Sequence, residues 1–269
     1  MYNRKFCNLY TVSPFVSECI EKITNYKIND FIYSSSCVQS TKINDLNILK
    51  NKFVTMINIH YLKGGELLLY LINNCPNIPF MCIKTEYLSE NLDNQISLAI
   101  KKRNETNKNK CVMLDRLENP KIIYQETRIL LAISIVDETF CRVVNEAMMN
   151  GIPIISTGQG NIINLMGDSG YIIPYKEKDL WVSTLNTIYN NNDELKEKSE
   201  KALIEYNNYS EKKAFDLFSQ ISIKTILKSK ERNIMIWTPW CDQGLGIQSR
   251  NYANILSNNN YNVFIFALK

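Results

Sequence analysis

From residue 31 to residue 174, short apolar runs alternate with longer stretches whose apolar residues recur at helical spacing. FIYSS (31–35), KFVTMINI (52–59), PFMCIK (79–84), KCVML (110–114), ILLAIS (129–134), IPIIST (152–157) and GYIIP (170–174) read as strands. Between them GGELLLYLINNC (64–75), LDNQISLAIKKRN (92–104), NPKIIYQETR (119–128) and residues 139–150 read as helices, with Pro120 in a first turn. Long polar-faced helices follow at about 177–190, 193–207 and 209–228. Strands separated by helices of this length imply βαβ units and a mostly parallel, doubly wound Rossmann-like α/β sheet. A strand as uniformly apolar as 129–134 fits a sheet covered on both faces. Ligands of such sheets bind beyond the carboxyl ends of the strands, where the strand order reverses, and VDETF (136–140) lies at such an end.

The pattern resets near SKERN (229–233). IMIWTP (234–239) reads as a strand, WCDQGLGIQS as a glycine-containing turn, RNYANILSNN as a helix and YNVFIFAL (261–268) as a second strand. One βαβ unit of about 40 residues buries too little surface to stand alone. Residues 229–269 therefore read as the start of a further, incomplete Rossmann-like unit. In that last unit Gly244 and Gly246 are the candidate loop residues. They lack the third glycine and the acidic residue that a dinucleotide fingerprint needs, so a dehydrogenase is disfavoured.

Composition narrows the function classes. The net charge of +4 is mild and the basic residues form no dense block, so no nucleic-acid partner is expected. Eight cysteines without CxxC spacing and without a leader read as reduced core residues. A single histidine, His60, excludes most histidine-based metal sites. The longest apolar run, 129–136, is too short to span a bilayer, so no transmembrane segment is expected. The expected location is the cytoplasm, or the cytosolic face of a membrane.

Three segments carry candidate chemistry. In DETFCRVVNEAMMNGIPIIST (137–157), Glu138 and Glu146 bracket a helix start. The first amides of a helix have no partner within it and, with the helix dipole, attract an anion. Asp137 or Thr139 could equally cap that helix, the ordinary role of such residues. Gly158 and Gly160 follow the next strand, where glycine admits close backbone approach to a ligand. Lys63, Gly64 and Gly65 follow an earlier strand; the lysine is either a point charge suited to a diphosphate or a solvated loop residue.

In order and spacing these pieces resemble the nucleotide-binding half of retaining GT-B glycosyltransferases of the group 1 family. The resemblance covers roughly residues 10–228 and rests on a Lys-Gly strand end, two glutamates eight apart, the Ala-Met that follows, Gly-Ile-Pro and a Gly-containing loop. It implies that Glu138 holds hydroxyls of a donor sugar and that Lys63 neutralises the diphosphate leaving group. These two are the candidate catalytic residues. Phe140, Cys141 and Arg142 would offer backbone amides to the sugar and diphosphate, and Glu146 would accept the ribose hydroxyls. Thr139, Asn58, Gly64, Gly160 and Asn161 complete the expected donor-binding set. The resemblance further implies a nucleotide-diphosphate sugar such as a UDP- or GDP-sugar as substrate and no cofactor. The acceptor would be a glycan, lipid or protein. The family needs no metal, and no Asp-x-Asp metal motif is present.

The sequence departs from the family at four places: Asn58 stands where an arginine is common, Ile133 replaces a proline, Cys141 a glycine and Asn164 an acid. Residues 9–23 look like the last strand and helix of an acceptor domain and 233–268 like the opening of one, so the resemblance implies 1–24 as the end of an acceptor-type domain and a crossover, 25–228 as a nucleotide-sugar-binding donor domain and 229–269 as the start of a further acceptor-type domain, an order that reads as a slice of a tandem transferase. The expected function is transfer of a sugar with retention. The alternative is a nucleotide-sugar-binding module without activity of its own.

Overall fold

The computed structural model describes residues 10–25, 27–28, 30–31, 41–84, 90–228, 233–239, 244–258 and 261–268. Strand β1 (Tyr10–Thr11), helix α1 (Pro14–Thr24) and strand β2 (Asp30–Phe31) come first. Then follow β3 (Phe53–Ile59), α2 (Gly65–Asn74), β4 (Phe80–Lys84), α3 (Glu90–Thr106), β5 (Val112–Leu114) and α4 (Lys121–Glu126). The second half holds β6 (Thr127–Ala132), α5 (Arg142–Met149), β7 (Ile154–Ser156), α6 (Ile162–Met166) and β8 (Gly170–Ile172). Helices α7 (Lys178–Asn190), α8 (Asn192–Asn208) and α9 (Glu211–Lys228) lead to β9 (Asn233–Pro239), α10 (Gly244–Asn258) and β10 (Asn262–Leu268).

Six strands form one sheet in the order β5-β4-β3-β6-β7-β8, every pairing parallel. The α/β reading is thereby observed directly. The chain winds outward from β3 through β4 to β5, then returns to lay β6 on the other side of β3. The strand order reverses between β3 and β6, and sheets of this kind bind ligands beyond the carboxyl ends of the strands at such a point. β6 is buried along its whole length, as its unbroken apolar run requires for a strand covered on both faces. Ile129, Leu130 and Leu131 are at most 2% exposed. They join Val54, Met56, Leu68 and Trp181 in the main core, and each fully buried aliphatic side chain contributes about 1.5–3 kcal/mol.

Two small parallel pairs, β1 with β2 and β9 with β10, stand outside this sheet. Of the strand expected at 31–35, residues 32–35 lie outside the described residues, as do 229–232 and 240–243. Among the described residues Cys19, Cys75, Cys82, Cys111 and Cys141 are free, and no helix is long and apolar enough to cross a membrane.

Several boundaries differ from the sequence pattern. The helix expected over 119–128 ends at Glu126, and Thr127 and Arg128 belong to β6. Strand pairing overrides the local pattern here: the Thr127 hydroxyl pairs with that of Thr55 in β3 at 2.8 Å, and Arg128 donates to the carbonyl of Leu49 at 3.1 Å. The short α6 was not expected; five residues are too few to show a period. Helix α10 begins at Gly244, six residues before the helix expected from Arg250. Gly244 and Gly246 therefore lie in its first turn rather than in a loop ahead of it.

Candidate functional site

The carboxyl ends of β3 and β6, with the loops that follow them, gather most of the residues singled out by sequence. Near the end of β3 the strand bulges at Asn58, which is exposed and adopts a left-handed φ of 65° that asparagine tolerates. His60 caps a 3-10 turn over Tyr61–Lys63, its Nδ1 accepting from the Leu62 amide at 3.1 Å. Gly64 then turns the chain into α2 with φ 87°. A side chain there would lie 2.1 Å from the Ile133 carbonyl oxygen, so glycine is required by close packing on the β6 exit and not only by a ligand. The Ile135 amide bonds the Leu62 carbonyl at 3.0 Å, stitching the two loops together.

Across the switch point the Lys63 ammonium donates to Oε1 of Glu138, and the Ser134 hydroxyl donates to the same oxygen. The Glu138 side chain is 13% exposed and that of Lys63 38%. Glu138 is held from the other side by the loop after β7. Its backbone bridges to Gly160, and its carbonyl accepts from the Asn161 amide at 2.8 Å. Gly160 has φ 60°, and a Cβ there would stand 2.5 Å from both the nitrogen and the oxygen of Glu138. Gly160 is therefore required by its close packing on the Glu138 backbone, and not only by a ligand. The Asn161 side chain is fully buried at the start of α6 and neither of its polar atoms has a partner among the described residues. Its link to the site runs through the backbone.

Helix α5 starts later than its sequence pattern suggests. Residues 139–141 are loop, and the helix opens at Arg142. Neither Asp137 nor Thr139 caps it. Cys141 occupies the cap position with φ 67°, and among the described residues no side chain caps the first amides. Phe140 anchors this loop in the main core at 3% exposure, while the Thr139 carbonyl accepts from Ser13, the N-cap of α1, at 2.6 Å. The Cys141 thiol is held far above its usual range, first by burial and then by the Glu138 carboxylate, so it stays neutral.

Glu146 lies one turn inside α5 and is 6% exposed. The Tyr124 hydroxyl donates to its Oε2 at 2.6 Å, and Arg142 donates to Oε1 at 3.2 Å. Burial pushes the Glu146 carboxyl above the ordinary glutamate range; Arg142 and the Tyr124 hydroxyl pull the other way. Tyr124 is itself fully buried and its phenol is raised well above normal, by burial and then by Glu146, so it remains a donor. Tyr124 was missed by sequence reasoning. It lies 22 residues from its partner on an unremarked helix face, and no local pattern points to it.

The ensemble is thus an ion pair at the switch point, a helix start without a side-chain cap, and a buried carboxylate one turn further on. It can hold an extended ligand with an anionic middle and hydroxyl-bearing ends. Asn58 adds no charge, and Gly244 and Gly246 belong to the separate β9–β10 unit.

Residues 89–208 match the family model of group 1 glycosyl transferases. No curated protein matches the sequence. Among solved structures, the glycosyltransferase from Rickettsia africae superposes with a TM-score of 0.69 at 16% identity, over 84% of this chain and 65% of that one. Sucrose-phosphate synthase from Thermosynechococcus elongatus gives 0.68 at 13%, over 82% and 58%. Anabaena HepE, solved with UDP and glucose, gives 0.67 at 16%, over 84% and 64%. The fold is that of the GT-B glycosyltransferases. The chain spans less than two thirds of the length of these solved relatives.

Proposed function

We propose that this chain, whose residues 89–208 match the group 1 glycosyl transferase model, binds a nucleotide-diphosphate sugar at the β3–β6 switch point and serves as the donor side of a sugar transferase. The observation that carries the reading is the meeting of Lys63 and Glu138 across the switch point, beside a helix start that no side chain among the described residues caps. The diphosphate lies over the start of α5, with the Cys141 and Arg142 amides and Lys63 as its donors. Glu138 turns its Oε2, which has no partner among the described residues, toward hydroxyls of the sugar. Glu146 receives the ribose hydroxyls.

In the transfer step the bond between the anomeric carbon and the diphosphate oxygen breaks and negative charge develops on that oxygen. Donors already fixed at that position stabilise the developing charge without reorganising. The reading assigns this cationic work to Lys63, whose ammonium its pair with Glu138 holds at the switch point, and to the helix amides rather than to a metal. Retention of configuration follows from the family resemblance. HepE, one of the solved relatives, holds UDP-glucose, which supports a UDP-sugar as the first donor to try. The acceptor would be a glycan, lipid or protein presented by a facing domain, in the cytoplasm or at the cytosolic face of a membrane.

Calorimetric titration with UDP- and GDP-sugars tests the reading. Glu146→Ala should weaken binding by about 1–3 kcal/mol, the scale of lost charge-assisted hydrogen bonds. No binding of either class by the wild type would defeat the proposal. A second reading, a binding module without turnover, is favoured by the uncharged, exposed Asn58 and by Asn164, which stands where the family has an acid and is likewise exposed. Donor turnover that disappears in Glu138→Ala would decide for the enzyme.

A further inference from the structure

Arg142 is the first residue of α5, at the positive end of the helix dipole, where a cation is disfavoured. Its offset is Glu146, and the contact is loose: a single 3.2 Å bond from one terminal nitrogen. The buried Nε of the same guanidinium has no partner among the described residues, although buried donors are nearly always paired. A guanidinium can grip a carboxylate with two parallel bonds, and here it does not. The two oxygens of Glu146 are also held differently. Oε2 is fixed by the fully buried Tyr124, whereas Oε1 is held by a side chain that is 35% exposed. Of the three side chains Arg142 is the most open to solvent. Meanwhile the Lys63 charge is engaged by Glu138, and Asn58 supplies none.

We infer that the Arg142 side chain is an exchangeable latch that becomes the second diphosphate cation. In the empty protein it neutralises Glu146. When ribose hydroxyls donate to Oε1 they replace its single weak bond, and the freed guanidinium turns to the diphosphate lying over the start of its own helix. Tyr124 keeps Oε2 fixed throughout, so the carboxylate does not follow the arginine. Recognition of the nucleoside end and neutralisation of the diphosphate are thereby coupled through one side chain. This inference rests on the donor-site reading above.

The coupling has an unusual sign. Arg142 competes with ribose for Glu146 but assists the diphosphate, so its removal should separate the two ends of the ligand. Ligand-observed NMR and calorimetry would compare uridine with UDP, and guanosine with GDP, on the wild type, Arg142→Ala and Arg142→Lys. The expected result is that Arg142→Ala weakens binding of the diphosphate about tenfold or more, while binding of the matching nucleoside is unchanged or tighter. Arg142→Lys, which keeps the charge, should recover most of the diphosphate affinity. Equal weakening of nucleoside and diphosphate would show a merely structural arginine and overturn the inference while leaving the donor site standing. Unchanged diphosphate affinity would overturn it as well. Failure of the wild type to bind either diphosphate would remove the donor site and this inference with it. If Arg142→Ala does not fold, Arg142→Gln makes the same comparison.

Discussion

Glu146 is an expensive residue for a fold to carry. It is a nearly buried carboxylate whose proton affinity is raised mainly by burial, with one buried phenol and one half-exposed guanidinium as partners. A folded-state carboxyl raised above its unfolded value binds a proton where the unfolded chain has already released it. Stability from this group therefore falls as pH rises from the ordinary glutamate range through the raised value, and above that value the full cost of the buried charge remains. Glu146→Gln removes the charge and keeps an acceptor for Tyr124. The variant should melt at a higher temperature than the wild type at neutral pH, and the gap should close as pH falls toward the ordinary glutamate range. It should also lose nucleotide affinity, so that gain of stability and loss of binding appear in one substitution. Thermal melts across pH, paired with titrations of the same samples, check both halves. A gap that widens on acidification would show that the charge stabilises the fold.

Among the elements, α2, α3 and β4 show how buried charge can serve structure alone. Arg103 on α3 is 7% exposed and donates to the carbonyls of Ile72 at 2.9 Å, Cys75 at 2.8 Å and Pro76 at 2.9 Å, and to that of Ile78. These carbonyls belong to the last turn of α2 and the connection to β4, where helix carbonyls have no partner of their own. The same guanidinium lies 5.4 Å from the Phe80 ring centroid and holds down the Cys75 thiol, which burial otherwise drives up, to about 11. Arg103→Leu should cost about 3 kcal/mol or more, read as a lower urea midpoint at unchanged slope, with nucleotide affinity intact. Legibility divides along the same line. The parallel α/β order could be read because β6 and its neighbours carry apolar runs of strand length and α2 and α3 carry helical spacing. Lys63, Glu138 and Glu146 stood out because charge next to a strand end or helix start is itself a local signal. Tyr124, Ser134 and Arg103 act through partners that only the packing brings near. The α5 boundary was misplaced because Phe140 enters the core and Cys141 turns left-handed, both consequences of tertiary contact. The capping role expected of Asp137 or Thr139 had no means of anticipating that turn.

At the scale of the whole molecule, the six-stranded unit and the β9–α10–β10 unit are unequal partners. The main buried cluster runs from Ile48 to Ala202, and the candidate donor residues Lys63, Glu138, Arg142 and Glu146 all belong to the segment it spans. The terminal unit forms its own two-stranded sheet, with Phe218 of α9 stacked on Tyr252 of α10 at 4.9 Å between centroids. A βαβ unit of this size buries too little to be stable alone, so its order depends on such contacts. The reverse dependence should be weak. A chain ending at residue 232 should bind UDP or GDP within about twofold of the full chain, since separated sites without shared partners couple by only about 0.3–0.5 kcal/mol. Its melting should report the six-stranded unit. Replacing Phe218 with Ala should, by contrast, loosen the terminal unit selectively, seen as faster amide exchange over 244–258 with little change over β3 and β6. Gly244 and Gly246 give the experiment its edge. If shortening the chain abolishes nucleotide binding, the first turn of α10 contributes to the donor site and the switch point is not self-sufficient. If binding survives, the terminal unit's role lies with something other than the nucleotide.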